Sequence, residues 1–234
     1  AATIRDTIES ILAQSHPAIE HIVVDGASTD GTADIVRSYG SRIARFVSEP
    51  DRGIYDAMNK GLALATGDVI GILNSDDMYP DRDIVARVAR EFGERPVDLV
   101  FGDVVYVRPS NLQRVVRYYS SANCDPANFA WGWMPAHPSC FLRRQVYERY
   151  GNFKADYRIA ADFEILARLM ARHRVAYSYL PQVFVRMRTG GRSAGLATKW
   201  ILNLEMVRAC RENGIDTSLP QLLLRYPRKI LQLF

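Results

Sequence analysis

One apolar segment of the chain ends abruptly in two adjacent carboxylates. Residues 69–73 read Val-Ile-Gly-Ile-Leu, and Asn74, Ser75, Asp76 and Asp77 follow directly. A short apolar run bounded by turn-forming residues is typical of a buried strand. We therefore expect Asp76 and Asp77 at the carboxyl end of that strand, which is the edge where open α/β sheets bind ligands.

Taken alone, this carboxylate pair has two interpretations. Adjacent carboxylates repel each other unless a proton or a cation lies between them, and a hard divalent cation bound through carboxylates and substrate phosphates would meet that need. Asp and Ser also favour turns and helix caps, and Pro80 stands where a first helical turn could begin. A metal site and a structural turn both remain open at this point.

The composition is that of a globular chain with one large domain. Hydrophobic residues make up 48% of the 234 positions and charged residues 24%, and no apolar run approaches the roughly 20 residues of a membrane-spanning helix. Three widely spaced cysteines form neither a disulfide framework nor a metal pattern, which favours a reducing, cytoplasmic environment. The net charge of +4 suits anionic small molecules or an anionic membrane surface, and no basic stripe with interleaved aromatic residues indicates nucleic acid.

Helical and strand-like patterns alternate along the first half of the chain. The predicted helices cover residues 3–14, 31–39, 54–65 and 80–92, and the predicted strands cover residues 21–24, 43–47, 69–73 and 99–101. This alternation predicts an α/β fold with a mostly parallel sheet flanked by helices. The second half predicts a long loop over 120–137, a helix over 160–171, a strand over 176–185 and a helix over 194–212.

Three of the predicted strands end in acidic residues. Asp25 follows the first strand, the pair Glu49 and Asp51 follows the second, and Asp76–Asp77 follow the third. If these strands are parallel, all three acidic groups lie at one edge of the sheet. No Gly-x-Gly-x-x-Gly fingerprint and no phosphate loop ending in Gly-Lys-Ser/Thr is present, so neither a dinucleotide site nor a P-loop is indicated.

Three motifs, in this order and spacing, resemble glycosyltransferase family 2. They are Val-Val-Asp-Gly-Ala-Ser-Thr-Asp-Gly-Thr (23–32), Glu-Pro-Asp-Arg-Gly-Ile-Tyr-Asp-Ala-Met-Asn-Lys-Gly (49–61) and Asn-Ser-Asp-Asp (74–77). Within the family they look like the bacterial enzymes that build exopolysaccharide and O-antigen. The resemblance covers about residues 1–190. It implies a GT-A (Rossmann-like) fold with a mixed sheet, and transfer of a sugar from a nucleotide sugar with inversion at the anomeric carbon.

The resemblance also implies roles for the acidic residues of the first half. Asp25 resembles the acid that hydrogen-bonds the nucleotide base, and Asp51 lies in the segment that completes the base pocket. Asp76 and Asp77 match the family's Asp-x-Asp-type motif, in which one acid contacts the ribose and the other binds Mg²⁺ or Mn²⁺ on the diphosphate. We assign Asp76 to the nucleotide and Asp77 to the metal.

The catalytic base is expected in the second half. Residues 160–168 resemble the family's Glu-Asp motif, with Ala161 where Glu is usual, so Asp162 is the candidate base. Glu164 lies two residues further on, nearly opposite on a helix, so both acids cannot face one pocket. A structural alternative is that both acids only favour the first turn of that helix.

Other residues of the second half are candidates for the acceptor and the diphosphate. The family places the segment of His137 near the acceptor, and Trp133 could stack on a sugar face, although a lone His and a Trp are also common core residues. Arg188 and Arg192 flank a Thr-Gly-Gly segment that resembles the family's lid over the diphosphate, where Arg binds phosphate oxygens. Many relatives carry a metal-binding His in this lid, and none is present here.

The two ends of the chain complete the prediction. Family members begin with a central strand ending in Thr-x-Tyr-Asn just before the helix that opens this chain, and residues 1–234 do not contain it. We expect a GT-A domain over 1–192 and a helical extension over 193–234. Apolar residues of the last 16 positions fall near one helical face with basic residues among them, which fits either packing on the domain or an interfacial membrane helix.

The sequence as a whole predicts an inverting, metal-dependent, non-processive glycosyltransferase. The expected partners are a nucleotide sugar, taken to be UDP-linked, and a saccharide or lipid-linked saccharide acceptor at the inner face of the plasma membrane. Processive relatives carry membrane spans and a Gln-x-x-Arg-Trp motif, and neither is present. Two alternatives remain: a nucleotidyltransferase that makes the nucleotide sugar, and a non-catalytic nucleotide-sugar-binding protein of the same fold.

Overall fold

The computed structural model describes residues 1–123, 125–190 and 196–224, and helices and strands alternate through its first half. The helices are α1 Ile4–Leu12, α2 Thr32–Arg37, α3 Ile54–Leu64, α4 Ile84–Glu94, α5 Arg144–Tyr150, α6 Ala161–Leu166, α7 Leu196–Glu212 and α8 Leu219–Leu223. The strands are β1 Ile22–Asp25, β2 Arg45–Ser48, β3 Val69–Gly71, β4 Leu99–Arg108, β5 Asn111–Tyr119, β6 Cys140–Arg143 and β7 Tyr177–Arg188. Short 3₁₀ segments cover Gly40–Arg42, Pro126–Trp131 and His137–Ser139, and a π-helical segment, Ala167–Arg172, continues α6.

Two sheets organise these strands. β1 and β2 pair in parallel, and Asp25 lies opposite Ser48 in the last register position. In the second sheet, β4 pairs antiparallel with β6 near its start and with β5 near its end, while β7 runs parallel along its other side. β3 pairs antiparallel with the outer side of β6.

The prediction of an α/β fold with a mixed sheet and flanking helices is confirmed. Among the described strands, the β1–β2 and β4–β7 ladders are parallel, whereas the ladders of β3 with β6, β4 with β5 and β4 with β6 are antiparallel. Antiparallel pairing has a larger share than a mostly parallel sheet would have. The reason is that β5 and β6, which the sequence patterns did not reveal, both pair with β4.

The centre of the second sheet is covered by α4. β4 is buried from Leu99 to Val105, as expected for a strand with covered faces. On α4, Ile84, Val88 and Phe92 recur every fourth residue, which places them on one helical stripe. These three side chains pack with Val100 of β4 in one buried cluster.

A larger core joins α6 to α7. Phe163 and Leu166 of α6 and Val207 and Cys210 of α7 belong to one buried cluster. α7 lies within the predicted helical extension, yet it packs into the core formed by earlier residues. The basic amphipathic helix was predicted over 219–234. Its first part is α8, in which Leu222 is fully buried in the same core cluster, and residues 225–234 lie outside the described residues. None of the helices in the described ranges has both the length and the apolar character of a membrane span.

Candidate active site

The first carboxylate of the site lies at the carboxyl end of β1. Asp25 is buried, and its Oδ2 atom accepts hydrogen bonds from the Ser28 backbone N–H (3.0 Å) and the Ser48 hydroxyl (2.7 Å). Burial by itself raises the pKa of this carboxyl, but the hydrogen bonds from the two serines outweigh it, and the pKa lies below its ordinary value. Asp25 is therefore an ionised hydrogen-bond acceptor at neutral pH.

Asp51 lies in the loop after β2 and reaches back over the residue that follows Asp25. Its Oδ1 atom accepts a hydrogen bond from the Gly53 backbone N–H at 2.9 Å. A β-carbon built on Gly26 would lie 3.0 Å from the Asp51 Cγ atom and closer still to Oδ2, so only glycine allows this approach. The structure thus places the Asp51 side chain against the residue that follows Asp25, and the nucleotide roles of both acids stay predictions.

Helix α3 begins directly after the Asp51 loop and presents two polar side chains to the segment before α6. The single hydrogen of the Tyr55 hydroxyl is donated to the Ile159 carbonyl and shared, at 3.3 Å, with the Oδ1 atom of Asp162. One turn later, Asn59 exchanges two hydrogen bonds with the backbone of Phe153, at 2.8 and 3.0 Å. α3 therefore fixes the distance between the Asp51 loop and Asp162.

Asp162 is half-buried in the first turn of α6. Its Oδ1 atom accepts the Phe163 backbone N–H at 2.8 Å in addition to the Tyr55 hydroxyl. Burial raises the pKa of Asp162 to about 6, even though these two hydrogen bonds lower it, and the charge of Glu205 adds to the rise. A carboxylate that titrates close to neutral pH can accept a proton from a hydroxyl more readily than one at an ordinary pKa.

Glu164 points away from Asp162, into the core between α6 and α7. It has no exposed surface, and its two oxygens pair with Lys154 and Arg168 at 3.0 Å each. Asn213, which follows α7, donates to the same carboxylate at 3.3 Å. The expectation that the two acids face different surroundings is met, and Glu164 has a structural role.

The Asp76–Asp77 pair follows β3 in a loop that α1 covers. Asp76 is half-buried, whereas Asp77 is only 1% exposed and accepts a hydrogen bond from the Asn74 amide at 3.0 Å. Thr7 of α1 donates to the Asp77 carbonyl at 2.7 Å. Burial, with the charge of Asp76 adding to it, raises the pKa of Asp77 to about 7, against Asn74 and Arg188, which lower it.

Arg188, the last residue of β7, lies against this carboxylate loop. Its guanidinium donates to the Asp76 carbonyl at 2.7 Å and pairs with Asp6 of α1. Two backbone hydrogen bonds between Met78 and Arg186, at 2.8 and 3.1 Å, join the loop to the same strand. Arg188 is therefore held beside Asp76, where its remaining N–H groups could meet phosphate oxygens.

The two residues predicted to contact the acceptor differ in burial, and one residue predicted for the lid is not described. The His137 ring is 5% exposed and packs edge-on against Phe153, with centroids 5.3 Å apart, and burial lowers its pKa to about 4, so it is neutral. Trp133 is half-buried, and its backbone N–H donates to the Asn128 carbonyl at 3.2 Å. Acceptor roles for both stay predictions. Arg192 lies outside the described residues.

A comparison with family profiles decides the class of protein. The profile of glycosyl transferase family 2 matches residues 1–151, well over half of the chain. The chain belongs to glycosyl transferase family 2. All three sequence motifs, with Asp25, Asp51 and the Asp76–Asp77 pair, fall within the matched residues.

Relatives and solved structures agree with this membership. A family relative named PGL/p-HBAD biosynthesis glycosyltransferase, from Mycobacterium bovis, is 33% identical over 184 residues, which cover 77% of this chain and 69% of the relative. TarS of S. aureus superposes with a TM-score of 0.64 at 18% identity, over 88% of this chain but only 37% of the TarS chain. A mannosyltransferase from Pyrobaculum calidifontis, solved with GDP-Man and Mn²⁺, gives a TM-score of 0.61 at 24% identity, over 100% of this chain and 77% of that chain. At these identities the two structures show the shared GT-A fold alone.

Sequence reasoning named three acids that the structure connects but missed two residues that hold them, and the roles of all three acids stay predictions. Asp25, Asp51 and Asp162 were predicted, and the structure connects them through the start of α3. Tyr55 lies inside one of the three family motifs, so the motif itself carried a signal. Glu205, a half-buried acid on α7, lies outside the motifs, and its contacts become visible only in three dimensions.

Proposed function

We propose that the chain transfers a single sugar from a UDP-linked nucleotide sugar to a hydroxyl group of a saccharide or lipid-linked saccharide, with inversion at the anomeric carbon. The observation that carries this proposal is the environment of Asp162. Its carboxylate has a pKa of about 6 and touches Tyr55 in the helix that follows the Asp51 loop. A base with an adjusted pKa, held next to a donor-binding segment, is what activation of an acceptor hydroxyl requires.

The nucleotide is proposed to bind at Asp25 and Asp51. Both carboxylates are hydrogen-bond acceptors that follow the parallel strands β1 and β2. Gly26 has no β-carbon, so its backbone stays accessible next to the Asp51 carboxylate. TarS has been solved in complex with UDP-GlcNAc, and the Pyrobaculum enzyme with GDP-Man. The choice of UDP follows TarS, which has been solved with UDP and with UDP-GlcNAc.

A divalent cation, Mg²⁺ or Mn²⁺, is proposed at Asp77, and Asp76 is proposed to contact the ribose of the donor. The pKa of Asp77 is raised because its carboxylate is buried and lies next to the negative charge of Asp76. A bound cation would offset both the cost of burial and this repulsion. The described residues offer no group of three or more His, Cys, Asp and Glu side chains that could hold a metal ion. Phosphate oxygens of the donor would then complete the coordination. Such a cation supplies stabilisation of the negative charge on the diphosphate.

The proposed reaction is a single displacement. The acceptor oxygen forms a bond to the anomeric carbon while its proton passes to the carboxylate of Asp162. The bond between the anomeric carbon and the diphosphate oxygen breaks, and its electron pair leaves with the nucleoside diphosphate. Arg188 is placed beside Asp76 to bind phosphate oxygens during this step, and the predicted role of Arg192 is the same.

The decisive experiment compares Asp162→Asn with the wild type on a panel of UDP-sugars and GDP-Man, with Mn²⁺ and mixed saccharide acceptors. Turnover should fall about a hundredfold or more in the variant, while the nucleotide-induced rise in unfolding temperature stays unchanged. Asp156→Asn is the matched control, because Asp156 lies in the same segment but is exposed and pairs with Arg208. The anomeric configuration of the product, read by NMR, tests inversion.

The same assay separates the alternatives. A nucleotidyltransferase would release pyrophosphate while forming the nucleotide sugar, and a binding protein would leave every donor intact. Either result with the wild type would contradict the proposed transfer. A turnover equal to that of the wild type in Asp162→Asn would contradict the assignment of the base.

The C-terminal segment is proposed to bind an anionic membrane surface. Its last ten residues, 225–234, hold three basic residues and no acidic one, with apolar residues between them. Co-sedimentation with vesicles containing anionic lipid should fall when residues 225–234 are removed. Equal sedimentation of the shortened chain would contradict this part of the proposal.

A further inference from the structure

Glu205 of α7 holds the backbone immediately before α6. Its Oε1 atom accepts the Arg158 backbone N–H at 2.7 Å, and its Oε2 atom accepts the N–H groups of Ile159 and Ala160 at 2.9 Å each. One carboxylate thus satisfies three consecutive backbone donors. Hydrogen bonds of N–H groups to a charged acceptor are stronger than neutral ones, so this segment is firmly held.

This contact holds the residues that lead into α6, and of the first N–H groups of that helix it reaches only that of Ala160, the residue before the helix. α6 begins at Ala161, and the residue before it, Ala160, has no side chain that could accept a hydrogen bond. The first N–H groups of a helix lack partners within the helix and need them from elsewhere. Glu205 provides its negative charge at this end of α6, where the helix dipole also favours it.

The same segment is held from the opposite side by α3. The Tyr55 hydroxyl donates to the carbonyl of Ile159, while Glu205 accepts the N–H of that residue. Both polar groups of Ile159 are therefore engaged, each by a different helix. Asp162 follows three residues later and shares the Tyr55 hydroxyl. The position of its carboxylate depends on both contacts.

We propose that Glu205 is a positioning residue of the transfer reaction, which fixes residues 158–160 so that the Asp162 carboxylate is aligned with the acceptor hydroxyl. This rests on the proposed role of Asp162 as base. Glu205 makes no contact with Asp25 or Asp51 among the described residues. Its loss should therefore slow the chemical step and leave donor binding unchanged.

A second acid on the same helix provides a matched control. Glu212 anchors α7 to the same part of the chain through Lys154 at 2.7 Å and Tyr157 at 2.9 Å, and it also pairs with Arg208 within α7. These contacts are made by side chains and do not involve the N–H groups of residues 158–160. If Glu205 only attached α7 to the domain, substitution of either acid would have the same kind of effect.

The test measures kcat, the KM for the donor, nucleotide binding and the unfolding temperature for Glu205→Ala, Glu205→Gln and Glu212→Ala. We expect kcat to fall about tenfold to a hundredfold in Glu205→Ala, with the donor KM within about twofold of wild type, because small misplacements of a catalytic group are costly. Glu205→Gln keeps one oxygen for the N–H groups of Ile159 and Ala160 and should recover part of kcat. Glu212→Ala should keep the kcat of the wild type.

The outcomes separate this inference from the proposed function. A wild-type kcat in both Glu205 variants would overturn the positioning role, and so would a loss of kcat that follows the unfolding temperature equally in Glu205→Ala and Glu212→Ala. If Glu205→Ala does not fold, the kcat and the unfolding temperature of Glu205→Gln alone decide whether Glu205 has the positioning role. If Asp162→Asn is inactive while the Glu205 variants are fully active, Asp162 remains the proposed base and only the positioning role of Glu205 is refuted. A fully active Asp162→Asn would instead refute the base on which the inference rests.

Discussion

The carboxylate of Asp51 lies directly over the α-carbon of Gly26, so that a β-carbon at position 26 would stand 3.0 Å from Asp51 Cγ. Gly26→Ala should therefore displace Asp51 and weaken nucleotide binding about tenfold or more, since forced contacts of this kind cost about 1–3 kcal/mol. Isothermal titration with UDP and Mn²⁺ measures this change.

Gly93→Ala is the control for that substitution. Gly93 lies in α4, and a β-carbon there would meet nothing within 4 Å. Alanine should raise the free energy of unfolding by about 0.5–1 kcal/mol, because glycine is unfavourable within a helix, and nucleotide binding should not change. Equal affinities in Gly26→Ala and wild type would show that Asp51 takes no part in the base pocket.

The rate of transfer should rise as the pH increases through about 6. Asp162 accepts a proton only when ionised, and burial raises its pKa to about 6 from an ordinary value of 3.8. Tyr55→Phe removes a hydrogen bond that lowers this pKa, so the acid limb of the pH–rate profile should move to higher pH. Tyr157→Phe is the control, because its hydroxyl bonds to Glu212. A profile with the same midpoint in Tyr55→Phe would contradict the assignment.

Asp77→Asn should make the protein more stable at pH 8 in the presence of a chelator. The folded pKa of Asp77 is raised to about 7 from 3.8, so the folded state keeps a proton that the unfolded chain releases, and this contribution is lost as the pH rises through about 7. The Asn variant cannot ionise and should gain about 1–3 kcal/mol at pH 8, with little difference near pH 4. Urea unfolding at both pH values measures it.

Asp76→Asn is the companion variant for the cation. Asp76 is half-buried, so its substitution should leave stability nearly unchanged. Asp77→Asn should abolish the part of the UDP-induced thermal shift that depends on Mn²⁺, whereas Asp76→Asn should reduce the shift both with and without Mn²⁺. A full Mn²⁺-dependent shift in Asp77→Asn would place the cation elsewhere.

Glu164→Ala should be among the most destabilising single changes in the chain. The carboxylate has no exposed surface and pairs with Lys154 and Arg168, and removal of one partner leaves buried positive charge at a cost of about 3–5 kcal/mol. Asp34→Ala is the control, since the Asp34–Arg37 pair is largely exposed and should give no measurable change. Chemical denaturation of both variants tests the contrast.

Much of the fold could be predicted because several elements have simple patterns. β1 and β3 lie in apolar runs that polar residues follow, β2 overlaps the predicted strand 43–47, and α3 shows helical spacing within a family motif. β5 was missed because it lies at the edge of the sheet and exposes Val115 and Val116, so neither a buried run nor an alternation appears. β6 has four residues and follows a 3₁₀ segment directly, which hides its boundaries.

The arrangement around the base could not be predicted for a different reason. Tyr55 and Asp162 are 107 residues apart, and Glu205 and Ala160 are 45 apart. Contacts over such separations depend on how α3, α6 and α7 pack, which no local pattern specifies. The acids themselves were predictable because they follow strands or open a helix, whereas the groups that orient them are distributed over other elements.

Helix α3 has a consequence for how such an enzyme could change over evolution. Its first residues continue the Asp51 loop, and its Tyr55 and Asn59 hold the segment that leads to Asp162. If Asp51 and Asp162 have the proposed roles, a substitution in this helix would alter two inherited traits at once, the choice of donor and the speed of transfer. Lineages that acquire a new donor through α3 would therefore need a compensating change within residues 153–162.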